Sequence, residues 1–293
     1  MEDRVDLHVH SSKSSDGDFT PFHLLKLTRE HGLRAISICD HDTVEAYPEA
    51  MEWSFRLGVE LIPSVEMTTL FDGREFHCLL PFIHWESKFL KKILGHVRRA
   101  RMEEAAARLS RLQELGFAIT LEEVQKKAGA APPLGVTIAQ VLIDKGEKQQ
   151  VPALEKYYRR ENRFLAPYAF YKDYFLEGGP AFVPKKTVSL VDVLELVSRD
   201  GAVPVLAHPG AYFERATRED LLVLKEKGLV GLEVYSSYHT QEQTVLYKAL
   251  AEEIGFVATA GSDFHGRIKP HIPFGFIKEG TYAMVEELKK RRR

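Results

Sequence analysis

His8 and His10 stand two residues apart in Arg4-Val5-Asp6-Leu7-His8-Val9-His10, a segment whose alternation reads as a strand. Both imidazoles therefore leave the same face near the strand's C-terminal end, and such a pair can grip one ion. Other apolar runs also carry imidazoles or carboxylates at or near their ends: Asp40-His41 after Ala35 to Cys39, Glu66 after Val59 to Val65, and His77 within Phe76 to Leu80. His208 follows Val203 to Ala207, Asp263 and His265 follow Phe256 to Thr259, and Asp16 sits in a Ser-rich loop behind the first strand. His8, His10, Asp16, His41, Glu66, His77, His208, Asp263 and His265 make nine candidate ligands. That is more than one ion takes, and it implies two or three ions sharing bridging groups, the arrangement that clamps the attacking and leaving oxygens in phosphoryl transfer. Imidazole nitrogen and carboxylate oxygen, with no thiolate in the pattern, suit zinc, manganese or iron in a catalytic site.

The elements that must position these residues follow an α/β grammar. Thr20-Pro21 opens a helix that ends near Gly32, Thr20 as N-cap and Pro21 at the first helical position. A strand over 35–39, a helix from about Val44 to Leu57 and a strand over 59–63 come next. Late in the chain the alternation resumes, with helices from about Leu190 to Arg199, Glu219 to Lys227 and Gln241 to Ile254 between strands at 203–206, 230–234 and 256–259. Strands alternating with helices predict a largely parallel sheet or barrel whose strand ends gather on one rim, where such folds place their active sites. Residues 98–186 read as almost wholly helical, so the expected organisation is a first barrel part over 1–97, a helical insertion over 98–186 and a second barrel part over 187–293. Within the insertion, the aromatic and basic run from Tyr157 through Arg160 to Tyr171 reads as core packing rather than a base-stacking surface.

Composition narrows the class of function. The 293 residues carry 40 Lys and Arg against 42 Asp and Glu, a formal net charge of −2, so no global field draws the chain to nucleic acid or membrane. The basic ending Lys289 to Arg293 reads as a solvated helix end. No stretch has the length and apolarity of a membrane span, the first residues have no signal-peptide h-region, and the two cysteines, Cys39 and Cys78, lie inside apolar runs. A reducing, cytoplasmic setting is expected.

Taken in order, Asp6-Leu7-His8-Val9-His10, Ser15-Asp16-Gly17 with Thr20-Pro21, Asp40-His41-Asp42-Thr43, Val65-Glu66, Phe76-His77, Ala207-His208-Pro209 and Gly261-Ser262-Asp263-Phe264-His265-Gly266 resemble the polymerase and histidinol phosphatase (PHP) superfamily of metal-dependent phosphoesterases. The resemblance implies an α/β fold, a distorted (β/α)7 barrel with a trinuclear centre on its C-terminal rim and an inserted, mainly helical domain. It assigns His8, His10, Glu66 and Asp263 to one ion, Glu66, His77 and His208 to a second, and Asp16, His41 and His265 to a third, with Glu66 bridging. The insertion resembles that of the branch acting on nucleoside monophosphates, 3′,5′-bisphosphates or the 5′ end of short RNA, through Leu112 to Phe117, Ile119 to Val124 and Pro180 to Pro184. Where that branch carries Gly-Arg-Pro-His, this chain has Gly135-Val136-Thr137.

The resemblance implies a phosphoesterase that hydrolyses phosphomonoesters of nucleotides or short 5′-phosphorylated oligonucleotides by metal-activated hydroxide, with Asp263, His265 and Glu66 as catalytic residues. Two or three divalent ions, manganese, iron or zinc, are the expected cofactors, and the partner is a small phosphorylated substrate rather than a stable nucleic-acid complex. Arg267 and Lys185 are candidates for substrate phosphate, His239 for an unliganded acid, and Glu233 for a group that orients a ligand histidine. A histidinol-phosphate-type phosphatase, a metal-dependent amidohydrolase and a non-catalytic metal-binding module are the alternatives.

Overall fold

The computed structural model describes residues 3–14, 16–159, 161, 163, 165–197, 201–211 and 215–292. Expectations that fell on Met1, Glu2, Ser15, Arg160, Arg199 and Arg293 lie outside the described residues. In chain order the elements are β1 (Val5–Val9), α1 (Pro21–Glu30), β2 (Ala35–Ile38), α2 (Tyr47–Leu57), β3 (Glu60–Leu61), β4 (Glu66–Phe71), β5 (Arg74–Leu79), α3 (Lys88–Glu114), α4 (Leu121–Ala128) and α5 (Gly135–Gln149). After these come α6 (Glu155–Tyr158), α7 (Ala166–Phe175), β6 (Val188–Ser189), α8 (Leu190–Val197), β7 (Val205–Leu206), α9 (Arg218–Glu226), β8 (Gly231–Ser236), α10 (Gln241–Ile254), β9 (Val257–Gly261) and α11 (Tyr282–Lys290).

The chain divides into two compact units, residues 1–94 with 188–293, and residues 95–187. In the first unit β1, β2 and β3 form a parallel sheet. A second sheet has the order β6-β4-β5-β7-β8-β9. Val5 and Leu7 of β1, Ala35 of β2, Val205 of β7 and Ala207 just after it pack with Val257, Val285 and Leu288 into one buried cluster. The local signals act as chemistry requires: Thr20 accepts from the His23 N–H at the start of α1, and Thr217 and Thr240 close capping boxes on α9 and α10.

The expectation of a largely parallel arrangement needs one correction. β5 runs antiparallel to both of its neighbours, β4 and β7, and Glu66 opens β4 instead of ending a strand. The cause is local, because Asp72 and Gly73 take φ of 51° and 73° between Phe71 and Arg74. Two consecutive residues in that region make the tight turn whose twist matches a hairpin, and Asp-Gly is its preferred sequence. The mixed α/β class stands, with helices and two sheets.

Every described element of the second unit is helical. Its core joins Leu109, Leu112, Ile138, Leu142, Tyr157 and Phe170, with Phe170 stacked on Tyr174 at 4.2 Å. Of the aromatic run, Tyr157 and Phe170 are core, with Tyr158 and Tyr171 packed against it. Among the described residues, no helix is long and apolar enough to cross a membrane.

Candidate metal centre

Short backbone hydrogen bonds gather the element ends that carry the ligands. The Asp263 N–H donates to His8 O (2.8 Å), His10 N–H to Phe264 O (2.9 Å) and Cys39 N–H to Val9 O (2.8 Å). Asp42 N–H donates to Glu66 O (2.9 Å), and Ala207 N–H to His77 O (3.0 Å). Three carboxylates next to ligand residues reinforce these joins. Asp6 Oδ1 accepts from Ser262 N (2.9 Å), Asp42 Oδ1 from Thr68 N (3.0 Å), and Asp40 from both Ser11 N and Ser11 Oγ (2.6 Å each). Burial pushes the Asp6 and Asp40 carboxyls up to about 6, against the bonds they accept. Of the six described non-glycine residues with positive φ, Asp42, His208 and Asp263 lie at these ends. Backbone held in that region costs on the order of 1–3 kcal/mol per residue and persists where surrounding structure over-determines it.

Two glycines permit the approach. A Cβ on Gly261 would lie 2.0 Å from Glu233 Oε1 and 2.3 Å from His8 Cβ. One on Gly17 would lie 1.9 Å from Ser11 O, so the loop that carries Asp16 closes on its own backbone only because position 17 has no side chain.

All nine sequence-selected ligands converge within the first unit. His8 Nε2 and His10 Nε2 are 3.1 Å apart, and they approach Asp263 Oδ1 at 3.2 and 2.9 Å and Glu66 Oε2 at 3.3 and 3.1 Å. His41 Nδ1 reaches the same Glu66 oxygen at 3.1 Å. The other oxygen, Oε1, meets His77 Nδ1 at 2.8 Å and His208 Nε2 at 3.1 Å. Asp16 Oδ2 faces His265 Nε2 at 3.3 Å and His41 Nε2 at 3.5 Å. Among the described residues, three sets have ligand atoms close enough to share an ion: His8, His10, Glu66 and Asp263; His10, Asp16, His41 and His265; and His41, Glu66 and His77. The first coincides with the set expected for one ion. The others differ in detail, since His10 and His41 are each common to two sets and His208 joins through Glu66 Oε1.

Electrostatics set this cluster apart from a packed core. Burial works against the charge on Glu66, yet the imidazoles of His41, His8 and His77 outweigh it and hold the carboxyl well below its usual range. For Asp263 burial is likewise outweighed, by Lys269, His265 and His8. Burial holds His41 well below the usual imidazole range, whereas the bonds of His10 to Asp263 and Glu66 overcome burial and raise it to about 9. His10 Nδ1 is buried without a hydrogen-bond partner, while Glu66 Oε2, Asp263 Oδ1, His41 Nδ1 and His265 Nε2 meet other ligand side chains at 2.9–3.3 Å, imidazole nitrogen against carboxylate oxygen. Burying this many imidazoles and carboxylates together is costly. Divalent cations would relieve that cost, and a mixture of oxygen and nitrogen donors suits them.

The remaining candidates behave differently from one another. Glu233, buried on β8, accepts from His8 Nδ1 at 3.0 Å and through its second oxygen from the His208 N–H at 2.7 Å. Arg267 turns away: its side chain is 85% exposed and its Nε and Nη2 grip both oxygens of Asp18 at 2.6 and 2.7 Å. Lys185 belongs to the second unit and lies 5.8 Å from the Tyr171 ring centroid. His239 is not an available acid, because Nδ1 donates to Val234 O (2.8 Å) and Nε2 accepts from Gly210 N (3.0 Å), and burial lowers its pKa. Tyr238 escaped the sequence reading, and it meets Lys269 at Asp263. The Tyr238 hydroxyl donates to Asp263 Oδ2 at 2.6 Å, and Lys269 Nζ donates to the same oxygen at 2.9 Å and to that hydroxyl.

Comparison with known proteins agrees with this geometry. The model of the PHP domain matches residues 6–171, more than half of the chain. A phosphoribosyl 1,2-cyclic phosphate 1,2-diphosphodiesterase of Eggerthella lenta is 29% identical over 273 residues, covering 92% of this chain and 97% of that protein. A 3′,5′-nucleoside bisphosphate phosphatase of Chromobacterium violaceum is 25% identical over 264 residues, covering 89% of this chain and 87% of that protein. Among solved structures, a candidate metal-dependent phosphoesterase from Bifidobacterium adolescentis superposes with a TM-score of 0.81 at 26% identity, covering 99% of this chain and 96% of that one.

Proposed function

The chain belongs to the PHP domain family, and on that premise we propose that it is a metal-dependent phosphoesterase that hydrolyses phosphomonoesters of nucleotides or of short 5′-phosphorylated oligonucleotides. The observation that carries this reading is the convergence of nine buried or half-buried imidazoles and carboxylates, three sets of which have ligand atoms close enough to share an ion among the described residues. Relatives along nearly the whole chain act on phosphate esters by name. The finer architecture belongs to the proposal too: a distorted seven-stranded barrel interrupted by a helical insertion over 98–186. Arg267 is set aside, because its guanidinium is spent on Asp18.

His8, His10, Glu66 and Asp263 would hold one divalent ion, with His77, His208, Asp16, His41 and His265 completing a centre of two or three, and Glu66 shared through its two oxygens. Bound there, such ions supply positive charge where phosphoryl oxygens become negative and lower the pKa of water. The residues themselves do the orienting. Glu233 fixes the His8 ring by accepting from Nδ1, which leaves Nε2 for the centre. His265 Nδ1 donates to the Asp263 carbonyl at 2.7 Å, which turns Nε2 toward Asp16. Because that preorganisation is complete before substrate arrives, electrostatic stabilisation needs little rearrangement during reaction.

The test is phosphate release after chelation and addition of Mn²⁺, from AMP, adenosine 3′,5′-bisphosphate, histidinol phosphate, phenyl phosphate and a short 5′-phosphorylated RNA. Release that depends on metal and disappears in Asp263→Asn supports the reading. Failure on every substrate by a metal-loaded protein overturns it.

A further inference from the structure

Asp263 has two oxygens with opposite surroundings. Oδ1 faces His8 and His10 Nε2 at 3.2 and 2.9 Å, inside the ligand cluster. Oδ2 accepts from the Tyr238 hydroxyl at 2.6 Å and from Lys269 Nζ at 2.9 Å, while Lys269 Nζ also donates to the Tyr238 hydroxyl. Lys269 is 5% exposed, an ammonium taken out of water beside a cluster that would bind cations. A buried lysine is costly unless paired, and placed within a few ångströms of divalent ions it would also oppose their binding. Asp263 Oδ2 and the Tyr238 hydroxyl are the partners that offset that cost. The Tyr238 ring also stands edge-on against His208, with centroids 5.3 Å apart, so the pair touches the ligand cluster at a second point.

We propose that Lys269 and Tyr238 are positioning residues that clamp Asp263 Oδ2, so that Asp263 offers the metal centre a single oxygen, Oδ1, in fixed orientation. A free carboxylate can turn to give both oxygens to one cation, which fills a coordination position that a catalytic site must keep open. Two donors on Oδ2 block that rotation. The inference rests on the metal-dependent reading above, and metal stoichiometry separates the two.

The full chain, stripped of metal and reloaded with Co²⁺, is compared with Lys269→Met, Tyr238→Phe and Lys269→Arg by metal content, visible absorption and steady-state kinetics. The absorption of Co²⁺ weakens as its coordination number rises. Expected are retained Co²⁺ stoichiometry, a weakened visible band and kcat lower by about 10–100-fold in Lys269→Met, the same changes at smaller size in Tyr238→Phe, and recovery of band and kcat in Lys269→Arg, with KM little altered throughout. If unsubstituted protein binds no Co²⁺, the metal-dependent reading falls and the clamp with it. Should both substitutions leave the Co²⁺ spectrum unchanged, whatever happens to kcat, the clamp is refuted. Loss of Co²⁺ in the folded Tyr238→Phe variant also refutes it, since the pair would then be needed for binding itself.

Discussion

Adding a single methyl group at Gly261 is expected to disable the metal centre from outside its ligand set. The alanine Cβ would stand 2.0 Å from Glu233 Oε1 and 2.3 Å from His8 Cβ, where ordinary contact begins at 3.4 Å, so the two neighbours must yield by 1.4 and 1.1 Å. Neither yields cheaply. Both are fully buried, His8 within β1 and Glu233 within β8, and Glu233 also holds the His208 N–H. Overpacking of this kind costs about 1–3 kcal/mol, and each hydrogen bond to a charged group that is lost adds about 1.5–3 kcal/mol. A loss of about 3 kcal/mol or more lowers Tm by about 6 °C or more for a chain of this size. Displacing the carboxylate that orients His8 should also weaken metal binding by about 10–100-fold. The assays are a thermal melt and a metal titration of Gly261→Ala, with Gly261→Ala/Glu233→Asp as its partner. Shortening Glu233 by one methylene vacates part of the clash, so the double variant should regain stability and affinity relative to Gly261→Ala, a non-additivity that independent sites do not show. A Gly261→Ala protein with unchanged Tm and metal affinity would refute the argument that close approach of β1, β8 and β9 sets the site.

Other perturbations address the site from different sides. Glu66→Gln removes the charge to which five imidazoles turn; its metal content should fall and its phosphate release drop by more than the roughly 100-fold that loss of an outer partner can cost, and a fully loaded, active Glu66→Gln would contradict a bridging role. Chelation of a loaded protein should lower Tm and Mn²⁺ should restore it, since ions at about 100 times their Kd contribute about 2.7 kcal/mol; identical melting with and without chelator would argue against ions in the buried ligand cluster. Arg267→Gln removes an exposed pair with Asp18, worth at most about 1 kcal/mol, and should leave KM for phosphomonoesters within about twofold; a tenfold rise would return Arg267 to the substrate.

Much of the candidate site was legible in the sequence because its ligands punctuate apolar runs. A histidine or carboxylate that closes a run of Val, Ile and Leu has little other reason to be there, and period two put His8 and His10 on one face before any pairing was known. Asp6 shares that period, and its carboxylate ties β1 to Ser262. Less legible were partners distant in sequence. Lys269 and Arg267 are two cations just past the last motif, equal in composition and close in number. The single 3-10 turn over Gly266–Ile268 sends them apart, Arg267 out to Asp18 and Lys269 inward to Asp263. Which one goes inward depends on the turn and on Tyr238 arriving from β8's far end, and no local propensity encodes that meeting.

The direction of β5 has a functional consequence. Parallel strands need a crossover between them, so each contributes its ligand independently. The Asp72-Gly73 turn instead joins β4 and β5 directly and fixes the register with Thr68 opposite His77 and Glu66 opposite Leu79. Side chains two apart along a strand, or directly across a pair, share a face, so this register puts Glu66 and His77 on the same face and brings His77 Nδ1 to 2.8 Å from Glu66 Oε1. A one-residue slip would turn His77 to the other face and deprive Glu66 of that partner. The hairpin therefore couples the carboxylate proposed to bridge the centre to one of its histidines through a two-residue loop, the shortest route the fold offers, and it does so by breaking the parallel pattern that the rest of the sheet follows.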